Sequence, residues 1–325
     1  MTRGAFVAGD WGTTRLRLFL CDEHGHVIEE RHGPGVAAVH GGFDALWTTL
    51  IADWNATHGE LPAILCGMVG STIGWTEVPY VPCPARPEKL AEAACEVRDH
   101  LCVVPGLICK NRLGAPDVMR GEETQVLGAI DLVPALRSGS HLICLPGTHT
   151  KWVVLHDSEI VEFLTAPSGE IFDVVRRHSV LVRDGGAPVT VHAEQPEFQQ
   201  AVDATRETTQ DSLIHRLFEC RSRQLAGQIT SQGAAAYLSG LIIGADVLGA
   251  IRLFAGSEAL NRRAAKERGA APVHVIGEPA LVALYAAVLN GTGRDAHSID
   301  GEAAALAGLA HLHSLMKPGG ATRAS

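Results

Sequence analysis

The feature that most restricts the fold of this 325-residue chain is one order of elements that occurs twice. Phe6-Val7-Ala8 leads into the loop Gly9-Asp10-Trp11-Gly12-Thr13-Thr14-Arg15. Leu16, Leu18 and Leu20 then alternate with Arg17 and Phe19 at the period of a strand, before the turn Asp22–His26 and the run Val27-Ile28. Further on, Leu142–Leu145 leads into Pro146-Gly147-Thr148-His149-Thr150-Lys151, followed by Trp152–Leu155, the turn His156–Glu159 and Ile160-Val161. A shift of 135 residues lays Gly12 on Gly147, Thr13 on Thr148 and Asp22 on Asp157. Two such units half a chain apart predict two similarly built domains facing each other, although two short hairpins can also match by chance.

Length agrees, because 325 residues is about twice the usual domain size. Helical spacing is read at Phe43 to Trp54, at Val118 to Val133 and at Glu302 to Met316. Mixed hairpins and helices in two halves predict an α/β protein with a cleft between lobes. The expected division is residues 1–135 for the first lobe, with the helix over 301–316 packing back on it, and 136–300 for the second. The Gly/Ala-rich tail 317–325 is expected to be disordered.

Composition excludes several classes of function. There are 27 basic and 36 acidic residues, a net charge of −9, and no basic block, so no nucleic-acid partner is expected. The eight cysteines are scattered without zinc-site spacing and read as reduced thiols of a cytoplasmic protein. The short apolar start is not a signal peptide. The apolar stretch Gly233 to Gly256 carries Asp246 and Arg252, which favours a buried helix over a membrane span. A homodimer is left open.

The two loops carry the chemistry. Gly12 and Gly147 let a ligand approach the backbone, and the hydroxyls of Thr13, Thr14, Thr148 and Thr150, with His149, can donate to phosphate oxygens. Asp10 would repel phosphate unless a cation lies between them, and Mg²⁺ takes few carboxylates while keeping phosphate oxygens and water. A plain hairpin turn would use the same Asp and Gly. At Met119-Arg120-Gly121-Glu122-Glu123-Thr124-Gln125, one of Glu122 and Glu123 could take the proton of an attacking hydroxyl, or both could simply favour the helix dipole. Gly277-Glu278, after the strand Pro272–Ile276 and before a helix, permits approach of a flat ring, or serves packing alone. The GxxxxGK[ST], GxGxxG and GxSxG patterns are absent.

In their order, the Asp10–Thr14 loop, the Gly121-Glu122-Glu123 helix start, the Gly147–Thr150 loop and the Ile276-Gly277-Glu278 turn resemble the phosphate, connecting and adenosine motifs of the actin-like ATPase superfamily of sugar kinases. The chain is more closely similar to the 2-dehydro-3-deoxygalactonokinase family. Its Asp-Trp-Gly-Thr-Thr start, Cys66-Gly67-Met68-Val69-Gly70-Ser71 with Gly74-Trp75, Val118 to Gln125, Pro146 to His149 with Lys151-Trp152-Val153, and Leu238 to Ala245 all carry that likeness. One departure is the segment Leu164 to Ser179, where Ser168-Gly169-Glu170 and His178-Ser179 look familiar but Arg176-Arg177 lie between them.

The resemblance implies a two-lobed, ribonuclease H-like kinase fold and ATP-dependent phosphorylation of the C6 hydroxyl of 2-dehydro-3-deoxy-D-galactonate. It implies Asp10 at Mg²⁺; Gly12, Thr13, Thr14, Gly147, Thr148, His149 and Thr150 at phosphates; and Glu122 or Glu123 at the hydroxyl. Gly277, Glu278 and Leu281 would lie at adenosine, and Met68, Gly70, Ser71 and Trp75 would form the sugar-side wall. Arg15, Arg120 and Lys151 are candidates for the substrate carboxylate by charge. Other readings are a kinase for a related acid such as 2-dehydro-3-deoxygluconate, a phosphohydrolase of the same superfamily, and a sugar-sensing regulator.

Overall fold

The computed structural model describes residues 3–183, 189–207, 213–256, 260, 270–316 and 322–323. Two compact units emerge, one of residues 1–138, 155–163 and 301–325, the other of residues 139–154 and 164–300.

In the first unit, β1 (Phe6–Trp11), β2 (Arg15–Cys21) and β3 (Val27–Pro34) form an antiparallel meander. After the helix Phe43–His58, β4 (Ala63–Cys66) returns parallel to β1 on its other side. A two-residue strand, β5 (Val81–Pro82), precedes the pair β6 (Cys95–Arg98) and β7 (Leu101–Val103), and β7 joins β4 in parallel. The strands β8 (Leu107–Lys110) and β9 (Pro116–Met119) make a small sheet with β5. Alternation in β2 buries Leu16, Leu18 and Leu20 in the core that also contains Trp47, Ile51 and Trp54 of the helix. Burial of such side chains stabilises by roughly 1.5–3 kcal/mol each.

The second sheet repeats the plan with β10 (Ser140–Leu145), β11 (Thr150–His156), β12 (Glu159–Ala166), β13 (Val273–Gly277) and β14 (Ala296–Asp300). Its order is β12-β11-β10-β13-β14, and β13 runs parallel to both β10 and β14. The inner strands of the first sheet follow the same order, β3-β2-β1-β4-β7. The 135-residue shift therefore carries β2 onto β11 residue for residue, and the repeat in the sequence is a repeat of a whole sheet. Both sheets have the α/β organisation expected of a two-lobed sugar kinase.

The apolar stretch at 233–256 lies in the helix Ser231–Phe254, whose start is capped by Thr230 accepting from Gly233 N at 3.0 Å. It is long and apolar enough to cross a membrane, yet most of it is buried in the core of the second unit. A Cβ on Gly240 would lie 2.5 Å from the carbonyl oxygen of Phe198, so this glycine lets the helix Pro196–Arg206 pack closely.

Three boundaries differ from the sequence reading. The helix expected from Val118 begins at Glu122, because Pro116–Met119 pairs as β9 with β8 and Gly121 at φ +104° turns the chain between them. The first helix runs on to His58 until Gly59 at φ +89° ends it, and the last spans Gly301–Leu315. In the tail expected to be disordered, Thr322–Arg323 forms a strand, β15, beside β6; residues 317–321 and 324–325 lie outside the described residues.

Candidate active site

In the first unit, parallel pairing of β1 with β4 sets Asp10 opposite Cys66, and the chain then turns at Gly67. Gly67 has φ +92°, and a Cβ there would lie 2.9 Å from Trp11 O and 3.2 Å from Asp10 Oδ1. Gly121 packs against Gly67 in turn, with a Cβ at 3.3 Å from its Cα. Two glycines in left-handed conformation thus bring the Asp10 loop and the start of the helix Glu122–Leu132 together. That helix is fixed from behind by the C-terminal helix. Gly128 and Gly308 each face the other helix's backbone, at the carbonyls of Ala304 and Thr124, too closely to admit any side chain.

Asp10 Oδ2 lies 2.6 Å from Arg17 Nη2, and the other arm of Arg17 reaches Glu302 Oε2 at 2.5 Å. Oδ1 of Asp10 has the weak donor Cys66 Sγ beside it at 4.0 Å. One carboxylate oxygen suits Mg²⁺, which fills the rest of its octahedron with water and nucleotide oxygens. Among the described residues no group of three or more His, Cys, Asp and Glu could hold a metal ion by itself.

The two glutamates occupy different environments. Glu123 is fully buried, accepts from Gly121 N at 2.9 and 2.7 Å on its two oxygens, and has its pKa pushed up to about 8 by burial and by Glu122. Glu122 is half-buried and accepts from Arg120 N at 3.1 Å. Both cap the turn at the helix start, as residues of a first helical turn do.

The guanidinium of Arg120 stacks 4.4 Å above the Tyr80 ring and donates through Nη2 to Val78 O at 2.6 Å, while its Nε and Nη1 are buried without a hydrogen-bond partner among the described residues. Gly70 lies against it, where a Cβ would be 2.9 Å from Nη1. Of the other wall residues, the Ser71 hydroxyl donates to Met68 O at 2.7 Å, and Trp75 packs with Trp11, Phe43 and Trp47 in an aromatic cluster. Thr13, Thr14 and Arg15 are exposed, and Gly12 N closes the loop onto Arg15 O at 2.9 Å. Gly35 supports this loop from below, because a Cβ there would run into the backbone of Thr14. Neither Gly35 nor Arg17 is a candidate in the sequence: Gly35 meets the loop only through the fold, and Arg17 reads as one position of an alternating strand until pairing sets it opposite Asp10.

In the second unit, Thr148 and His149 are exposed, and Gly147 has open space where a side chain would stand. The helix Ser168–His178 begins against this loop: Gly169 abuts Gly147 O, Glu170 N donates to Thr148 O at 3.0 Å, and Glu170 Oε2 lies 2.8 Å from His149 Nε2. The familiar Ser168-Gly169-Glu170 thus acts as a clamp on the loop. Thr150 points the other way. It is fully buried with its hydroxyl 2.8 Å from Tyr285 OH, so its side chain is part of the core rather than a lining of the loop. Lys151 is also buried and donates to Thr165 at 2.9 Å.

A cavity of about 250 Å³ opens beside Gly147, walled by Val189, Val191, Ile242, Ile243, Leu281 and Leu284. Glu278 stands at its rim and caps the helix Pro279–Asn290 by accepting from Leu281 N at 3.2 Å. Gly277 approaches Pro146, where a Cβ would lie 3.4 Å from the carbonyl oxygen. An apolar slot with a few polar groups beside a glycine loop has the form of a nucleoside site.

Known proteins share this arrangement over almost the whole chain. Residues 10–312 match the family model described as 2-keto-3-deoxy-galactonokinase. A Rhizobium meliloti (strain 1021) protein assigned as a 2-dehydro-3-deoxygalactonokinase is 36% identical over 313 residues, covering 95% of this chain and 96% of its own. The 2-dehydro-3-deoxygalactonokinase of Escherichia coli (strain K12) is 30% identical over 311 residues, covering 94% and 96%. Among solved structures, a Sinorhizobium meliloti protein assigned to the same activity superposes with a TM-score of 0.82 at 36% identity, over 94% of this chain and 97% of its own. A match that runs from the Asp10 loop to the C-terminal helix makes this chain a member of the 2-keto-3-deoxy-galactonokinase family.

Proposed function

We propose that the chain transfers the γ-phosphoryl group of ATP to the C6 hydroxyl of 2-dehydro-3-deoxy-D-galactonate, giving ADP and the 6-phosphate. The observation that carries this reading is the family match over residues 10–312. The first unit is the acceptor lobe in this account, and the second, with its cavity and Gly147 loop, is the nucleotide lobe.

Glu122 is the general base. Glu123 is sealed from solvent with both oxygens turned to Gly121, whereas Glu122 keeps an exposed side. The C6 hydroxyl gives its proton to the Glu122 carboxylate as O6 bonds to the γ-phosphorus, and the bond from that phosphorus to the bridging oxygen breaks to release ADP. Asp10 would hold magnesium, which supplies charge neutralisation at the phosphates. Thr13, Thr14, Thr148 and the loop amides at Gly147–His149 hold phosphate oxygens, while Gly12, its own amide donated to Arg15 O, leaves room for them. Leu281, Gly277 and Glu278 lie at adenosine.

Arg120 binds the substrate carboxylate. Its Nε and Nη1, buried without a partner among the described residues, support that role. Arg15 stands in solvent, and Lys151 is engaged with Thr165. Met68, Gly70, Ser71 and Trp75 shape the wall beside it. Eight cysteines scattered without zinc-site spacing support a reducing, cytoplasmic setting.

A coupled assay of ADP release with ATP, Mg²⁺ and a panel of keto-deoxy sugar acids tests the proposal. Turnover should be highest with the galactonate epimer. Phosphate release in the absence of any sugar acid would point instead to a hydrolase.

A further inference from the structure

We infer that Asp246 is a positioning residue for the nucleotide, holding both ends of the second phosphate loop and the wall of the apolar cavity through one hydrogen-bonded relay. The inference rests on the kinase reading for what the loop binds.

Asp246 comes from the middle of the long helix Ser231–Phe254, directly after the Leu238–Ala245 segment. Three donors converge on it: Trp152 Nε1 on Oδ1 at 2.8 Å, and Ser168 Oγ and Tyr285 OH on Oδ2 at 2.6 and 2.8 Å. Burial raises the pKa of Asp246 above the ordinary carboxylate value, and these donors oppose that rise by favouring the charged form. An ionised carboxylate only accepts, and an indole only donates. With the carboxylate ionised, Tyr285 gives its proton to Asp246, and the Thr150 hydroxyl, 2.8 Å from Tyr285 OH and also bonded to Asp246, turns its own proton inward. The proton of Thr150 is then used within the protein, and Thr150 anchors the loop instead of contributing a side-chain donor to phosphate.

The other end of the loop hangs on the same carboxylate. Ser168 opens the helix whose next two residues clamp the backbone, Gly169 against Gly147 O and Glu170 N on Thr148 O. Ser168 and Tyr285 also line the cavity. One carboxylate thus fixes Thr150 through Tyr285, Gly147 and Thr148 through Ser168, and two side chains of the nucleoside wall. An amide at this position would replace one acceptor by a donor and set it against the incoming hydroxyls or indole.

Binding of the non-hydrolysable analogue AMP-PNP, measured by calorimetry on the full chain together with steady-state kinetics, tests this. Asp246→Asn should weaken AMP-PNP binding and raise KM for ATP by about tenfold or more, with KM for the sugar acid changed by less than about twofold. Tyr285→Phe removes the hydroxyl between Thr150 and Asp246 while leaving Ser168 and Trp152 on the carboxylate, and should weaken the analogue by about threefold to fivefold. Wild-type affinity in both variants, or an equal rise in both KM values, would overturn the inference. If Asp246→Asn does not fold, Tyr285→Phe decides by the same criterion. A wild-type chain that binds AMP-PNP yet phosphorylates no sugar acid would remove the kinase reading while leaving the relay testable by binding.

Discussion

Asp10 and Arg17 face each other across the β1–β2 ladder with Oδ2 and Nη2 2.6 Å apart, and Arg17 is itself held by Glu302 of the C-terminal helix. The acid at the first phosphate loop is therefore oriented by a cation, with its Oδ1 on the side of Gly67. Asp10→Asn should raise the Mg²⁺ concentration for half-maximal activity by about tenfold or more, since a charge-assisted contact is worth roughly 1.5–3 kcal/mol. A magnesium titration at fixed ATP measures this, and an unchanged curve removes Asp10 from the metal.

The two glutamates separate by burial. Glu122→Gln should lower kcat by about 10²–10⁴, the usual contribution of a general base, with nucleotide affinity preserved. Glu123→Gln should cost far less in kcat. Equal, small losses at both positions would count against base catalysis from this helix start.

Glu123 also predicts a pH dependence of stability. Burial, with the charge of Glu122 beside it, pushes its pKa in the folded chain up to about 8, above the ordinary carboxylate range, so the folded state favours the protonated carboxyl. The associated stability is fully present below the unfolded pKa and is lost as pH rises through about 8. Urea midpoints of the wild type should fall from about pH 6 to about pH 9, and Glu123→Gln should flatten that fall. Parallel curves for the two proteins would show that this group is not the cause.

Arg120 carries buried donors with no partner, an arrangement that costs stability unless an acceptor arrives. Arg120→Met should raise KM for the sugar acid by about tenfold or more while leaving KM for ATP near its wild-type value. Arg120→Lys should recover little, because a point charge does not reproduce the planar fork. A matching rise in both KM values would place Arg120 outside carboxylate binding.

The doubled hairpin was readable because its signals are local: alternation in β2, glycines at the two loops, and acidic turns after them. The loops at Gly12 and Gly147, the glutamate pair and the Gly277 turn could be found for the same reason. Thr150 and Lys151 show where local reading stops. Their residue types suit a phosphate loop, yet strand β11 carries both side chains into the protein, toward Tyr285 and Thr165. Asp246, Tyr285 and Gly35 were invisible as site residues, because each acts on a loop far away in sequence. Asp246 read only as a charge that spoiled a membrane span. Arg120 stands in the sequence as one of three cations, and its buried nitrogens separate it from exposed Arg15, their lack of a partner among the described residues from Lys151, which donates to Thr165.

The central claim is tested most directly by identifying the product of the purified chain incubated with ATP, Mg²⁺ and 2-dehydro-3-deoxy-D-galactonate. Proton–phosphorus correlation spectra should show one new phosphate monoester coupled to the C6 protons, formed in equal amount to ADP. Inorganic phosphate with no sugar phosphate, or an ester at another carbon, would contradict the account.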